Sequence, residues 1–174
     1  MSQLFMRRPN LDNLPDLPVP AGYTLREYQD GDRESLAALM REAFQDEKWT
    51  EEKVEATLIT PPDVVKTFVV DHEGDIVATA SARLLPEIHP ESGYVHWVGA
   101  DPEHRGKRLG YLASLATLHE FVRLGCTDAV LETDDFRLPA IKVYFRLGFV
   151  PEYRHATHAP RWARLAPPLG GNDS

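Results

Sequence analysis

A single cysteine, Cys126, stands among 174 residues. It cannot form an internal disulfide, and the Cys/His spacing of a zinc site is missing, which sets aside disulfide-stapled and zinc-bound scaffolds. Positive charge is also scarce. Against 27 acidic residues there are 19 Lys and Arg, giving a formal net charge of −8 and a pI near 5.3. That balance argues against nucleic-acid or membrane-surface partners, both of which call for basic patches. No apolar run is long enough to span a bilayer, and nothing near the start resembles a targeting segment. Internal repeats are absent. The expected setting is cytoplasmic, and no metal is called for.

The chain has the length of one domain, and its 43% hydrophobic content suffices for a core. Residues 1–20 carry Pro9, Pro15, Pro18 and Pro20 and read as an extended Pro-rich arm, loose or lying on the surface. Residues 21–166 form the folded domain, and 167–174 read as a flexible tail. A strand over Tyr23–Tyr28 precedes a helix with Leu36, Leu39, Met40, Ala43 and Phe44 on one face. A second helix, about Thr50–Ile59, stops at Pro61-Pro62. Two alternating runs, Val65–Asp71 and Ile76–Leu85, flank a Gly74 turn and predict a hairpin. A strand over Gly93–Ala100 follows, then a helix from about Arg108 to Leu124, a strand at Ala129–Thr133 and a helix ending at Leu147. Phe149 onward returns to strand, and Arg161–Leu165 reads as one more. The predicted class is α/β: a mixed, mostly antiparallel sheet with helices packed on it.

Chemistry concentrates between Trp97 and Gly110. An apolar strand ends in a basic, glycine-containing loop, Arg105-Gly106-Lys107-Arg108-Leu109-Gly110, which runs directly into a helix. Such a loop aims backbone N–H groups and a helix N-terminus at one point, as an anion such as a phosphate requires. An ordinary helix-capping turn is the plainer reading of the same residues.

Together with Ala140, Tyr144, Gly148 and Phe149 further on, the loop resembles the GCN5-related N-acetyltransferases (GNAT), over about residues 22–155. That family's pyrophosphate loop reads Arg or Gln, two residues, Gly, one residue, Gly or Ala. Arg105, Leu109 and Gly110 fit it, and Gly106 matches a common variant. Arg108 stands where glycine is usual, so its side chain must point away from the phosphates or the loop must shift. Arg137 replaces an asparagine common in the family and is free to reach a phosphate of coenzyme A.

The resemblance implies acetyl-CoA as acyl donor, its pyrophosphate cradled by the amides of Arg105 to Tyr111. It implies a bulge in the strand ending at Ala100. Gly99 is the candidate for that bulge, with the alternative that it only makes room for a packed side chain. The Val98 amide would then polarise the thioester carbonyl. Tyr144 becomes the general acid for the departing thiolate, or else a packing tyrosine. His96, on the strand face of Tyr94, Val98 and Ala100, or Glu132 on the next strand, becomes the base that frees the amine; either is equally a satisfied structural polar group. The implied reaction is direct transfer to a primary amine of a small molecule or peptide in a ternary complex, by a monomer or homodimer. A non-catalytic acyl-CoA-binding regulatory module is the alternative.

Overall fold

Seven strands form one sheet in the computed structural model, which describes residues 2–169, with side chains to residue 166. In chain order the elements are β1 (Leu4–Arg8), β2 (Tyr23–Glu27), α1 (Arg33–Phe44), α2 (Glu51–Val54), β3 (Val64–His72), β4 (Asp75–Leu84), β5 (Ser92–Ala100), α3 (Leu109–Arg123), β6 (Asp128–Thr133), α4 (Leu138–Arg146), β7 (Val150–Glu152) and α5 (His158–Leu169). The strands lie in the order β2-β3-β4-β5-β6-β1-β7. Every pairing is antiparallel except β5 with β6. This is the mixed, mostly antiparallel sheet that the sequence predicts.

Local chemistry accounts for most boundaries. The apolar stripe of α1 buries Leu36, Leu39 and Met40 against Val69 and Ile76 of the sheet. The Thr50 hydroxyl caps α2 by accepting from the Lys53 amide at 3.1 Å. After α2 the chain continues as a wider π-helical turn to Ile59. The central helix α3 is buried on several sides, and its Leu112, Leu115 and Leu118 anchor the larger core cluster. Residues of α4 and α5, among them Ile141, Tyr144 and Trp162, join that same cluster.

Two sequence expectations are corrected here. The N-terminal stretch is no loose arm: β1 fills an interior slot of the sheet, paired with β6 on one side and β7 on the other. Its Leu4 and Met6 are fully buried. Arg7 ties the three strands together through Asp128 and Glu152. Only residues after Arg8 lie over the surface, where the Pro15 carbonyl pairs with Nε2 of His119 at 2.8 Å.

The Arg161–Leu165 segment is helical, not extended. Trp162 and Leu165 lie one turn apart and face the core, Trp162 meets the Phe145 ring at 5.9 Å, and Pro160 sits in the first turn, where it is tolerated. Of the expected tail, residues 167–169 continue α5 in backbone, and 170–174 lie outside the described residues. No described helix is long and apolar enough to cross a membrane.

Candidate active site

The parallel pair β5/β6 holds only from Ser92–Tyr94 against Asp128–Val130, after which the two strands part. On its other edge β5 carries a bulge against β4. On β4, Ser81 pairs with His96 but Thr79 pairs with Gly99, so two steps on β4 match three on β5. Trp97 takes up the difference in the left-handed region, with φ +50°. Its indole packs edge-on against Phe44 and Trp49.

The bulge is therefore at Trp97 and not at Gly99. Gly99 sits in regular register, and a Cβ there would come within 3.2 Å of both Ala43 and Phe44, so this glycine makes room for α1. The bulge also resets the alternation of β5. His96 stays on the side of Tyr94, opposite Ser81 and Arg83. Val98 is turned into the α3 core cluster, and Ala100 pairs with Ala78. The expectation that His96, Val98 and Ala100 share one face is overturned.

A groove of about 360 Å³ lies among the end of β5, the basic loop and the start of α4. Its walls include Val98, Gly99, Ala100, Arg105, Gly106, Arg108, Leu109, Gly110, Arg137 and Ala140. Among the described residues, the N–H groups of Arg105 through Tyr111 find no acceptor within the chain. Those of Leu109 to Tyr111 are the free first-turn donors of α3. Gly106 at φ +83° and Arg108 at φ +56° place two left-handed residues within the loop. The Arg108 side chain lies against the Tyr111 ring, its guanidinium 4.5 Å from the ring centroid. Neither Lys107, which is exposed, nor the buried Tyr111 belongs to the groove wall.

A second cavity of about 370 Å³ shares Val98 and Arg137 with the groove and brings His96, Glu132 and Tyr144 together. Arg137 marks the border. Its Nη2 donates to the Val98 carbonyl at 3.1 Å, and its guanidinium lies 4.3 Å from the Phe44 ring centroid. It bridges β5 to the start of α4 instead of reaching out to a phosphate. Burial pushes the Tyr144 phenol up to about 12, with the Arg137 charge acting against that shift. No described group bonds its hydroxyl.

His96 is tuned the other way. Burial first, then the charge of Arg83, pushes its imidazole down to about 4. Arg83 is itself clamped by Asp63 through bonds of 2.9 and 3.0 Å, and its Nη1 contacts Nδ1 of His96. With Nδ1 accepting from a guanidinium, the ring proton lies on Nε2. Glu132 is exposed, and no hydrogen bond or ion pair engages its carboxylate. No described cluster of three or more His, Cys, Asp or Glu is arranged to hold a metal.

Sequence reasoning missed Phe136 and Gln3, which line the second cavity beside Phe44 and Trp97. Only Arg83 carried a readable signal: a charge within an otherwise small and apolar strand.

The match to known proteins agrees with this geometry. The model of the acetyltransferase (GNAT) family matches residues 28–149. A mycothiol acetyltransferase of Thermomonospora curvata is 32% identical over 154 residues, covering 84% of this chain and 50% of that protein. One from Actinosynnema mirum is 32% identical, covering 84% and 51%. The chain thus spans about half the length of the curated relatives it matches. Among solved structures, a GCN5-related N-acetyltransferase from Sphaerobacter thermophilus superposes with a TM-score of 0.66 at 21% identity, covering 87% of this chain and 50% of that one. The ribosomal-protein-S18-alanine N-acetyltransferase of Escherichia coli superposes at 0.60 and 17% identity, covering 72% and 76%. These two structures share the fold.

Proposed function

The chain belongs to the acetyltransferase (GNAT) family, and from that premise we propose that it moves an acetyl group from acetyl-CoA to a primary amine of a small molecule or peptide. The observation that carries the reading is the run of unpaired amides from Arg105 to Tyr111, beside a groove that meets the cavity of Tyr144 at Val98 and Arg137. The residues fit the donor. Backbone N–H groups and the N-terminus of α3 suit a diphosphate, Arg105 adds charge-assisted bonding, and the apolar wall of Val98, Ala100 and Ala140 suits an uncharged pantetheine arm. Acetyl-CoA, when bound, supplies the acetyl group as a thioester.

The chain's own groups divide the remaining work. The Trp97 bulge leaves main chain unpaired beside the cavity, and the Val98 amide is the donor for the thioester carbonyl. Tyr144 holds its proton across the working pH range and donates it as a hydrogen bond toward the leaving sulfur. Glu132 receives the proton of the attacking amine, directly or through water. His96 is not the base in this reading, because its Nδ1 lone pair is engaged by Arg83 and its basicity is depressed. It contributes an Nε2–H donor to the cavity instead. Names of relatives such as mycothiol acetyltransferase support a small-molecule acceptor.

The test is release of CoA thiol from acetyl-CoA across a panel of amines, alongside thermal shift with CoA. Amine-dependent release supports transfer. Stabilisation by CoA without release from any amine favours the non-catalytic acyl-CoA-binding module.

A further inference from the structure

Glu132 lines a third cavity as well as the second. This one, of about 330 Å³, is walled by Gln3, His89, Arg154, His155 and His158, and it shares Gln3 and Glu132 with the cavity of Tyr144. Its chemistry is one-sided. His158 opens α5 and is only 1% exposed. Its Nδ1 accepts from the Arg154 amide at 3.1 Å, so the ring proton is on Nε2, and that buried Nε2 has no partner. The His155 ring centroid lies 5.0 Å from that of His158. Arg154 spends only Nε, on Glu152 at 2.7 Å, and its guanidinium carbon lies over the Phe5 ring, 3.8 Å from the centroid, with both terminal nitrogens unbonded. The N-terminus of the twelve-residue α5 adds its dipole to the same place. Among the lining residues, Glu132 alone carries a carboxylate, at the border with the catalytic cavity.

A buried unpaired donor, a free guanidinium face and a helix N-terminus together describe a seat for an anion. A free carboxylate at the border attracts an ammonium. We propose that this cavity receives the non-reacting end of the acceptor, and that the acceptor is zwitterionic: its amine lies by Glu132 and its carboxylate or phosphate lies against His158 and Arg154. The inference rests on the acetyl-transfer reading and narrows its substrate class.

The experiment compares kcat and KM for CoA release with amines of matched length. ω-Amino carboxylates from β-alanine to 6-aminohexanoate are set against the corresponding n-alkylamines, and aminoalkyl phosphates form the second arm. At least one anionic amine is expected to exceed its neutral counterpart in kcat/KM by about ten-fold, mostly through KM. The arm that shows this names the anion. Arg154→Gln and His158→Gln are each expected to shrink that ratio by about ten-fold. Arg154 is a surface residue, so its variant keeps the test valid should the buried His158 variant unfold. Equal kcat/KM for anionic and neutral amines, or a preference that survives Arg154→Gln, overturns the anion seat while leaving acetyl transfer intact. Absence of CoA release with every amine overturns the transfer reading itself, and the seat with it.

Discussion

Tyr144 and His96 face the same cavity and are tuned in opposite senses by the same cause. Burial penalises whichever form is charged, so the phenol rises to about 12 and the imidazole falls to about 4. Full transfer from such a phenol to a thiolate of ordinary basicity, about 8.5, is uphill. In the proposed mechanism Tyr144 therefore serves as a hydrogen-bond donor as the sulfur departs, not as a free proton source. Tyr144→Phe is expected to lower kcat by about 10²-fold, with acetyl-CoA affinity by calorimetry little changed.

Glu132→Gln is expected to reduce kcat/KM by about 10²-fold and His96→Gln by less than about 5-fold. Because burial and Arg83 hold the His96 imidazole down to about 4, the wild-type profile of log kcat/KM against pH is expected to show no His96 break near 6.5. An imidazole break that vanishes in His96→Gln would reverse this assignment. The sequence named all three residues, since their types and strand positions suffice for that. It did not show what Arg83 and Asp63 do to His96, which depends on cross-strand register.

Two elements decide whether the site exists at all. The first is the loop into α3, where donors come from the main chain and side chains play the smaller part. Arg105→Ala is expected to weaken CoA binding by only about 3- to 10-fold in calorimetry, because the amides remain. The loop was legible because glycine and basic residues before a helix have a direct physical meaning. Its departure at Arg108 was legible too, and the structure supplies the reason it is tolerated: the left-handed backbone is kept, and the side chain packs on Tyr111.

The second element is β1. Four prolines after a short apolar run suggested a surface arm, but the run Leu4-Phe5-Met6 completes the sheet between β6 and β7. Pairing between the first strand and strands more than a hundred residues later leaves no local trace in the sequence. Met6→Ala is expected to cost about 2–5 kcal/mol in chemical denaturation. A change near zero would return β1 to the status of an arm. The bulge at Trp97 was hidden for a similar reason. Tryptophan at positive φ is held by packing against Phe44 and Trp49, and no propensity anticipates it.

At the scale of the whole molecule, buried histidines and arginine-clamped carboxylates set the response to acid. Burial lowers His89 and His96, so the unfolded chain binds more protons as pH falls below their unfolded value of about 6.5, and stability declines from there toward about 4. Arginine partners hold Asp32, Asp63, Asp135, Glu120 and Glu152 below the usual carboxylate range. Their contribution persists above about pH 4 and is lost below it. Denaturation midpoints at pH 7.5, 5 and 3.5 are expected to fall in two stages; a midpoint unchanged between pH 7.5 and 5 would contradict the histidine part.

The mixed sheet, the order of its central elements and the basic loop all followed from periodicity and turn residues. The strand order at the far edge and the helical C-terminal segment did not, because both are fixed by distant partners: β6 and β7 for β1, Asp135 and Phe145 for α5.

The most direct measurement is a crystal structure of the full chain with acetyl-CoA. Diphosphate oxygens within hydrogen-bonding distance of the amides between Gly106 and Tyr111, with the acetyl group lying beside Val98 and Tyr144, is the expected result. A diphosphate bound elsewhere, with those amides still unpaired, would contradict the account.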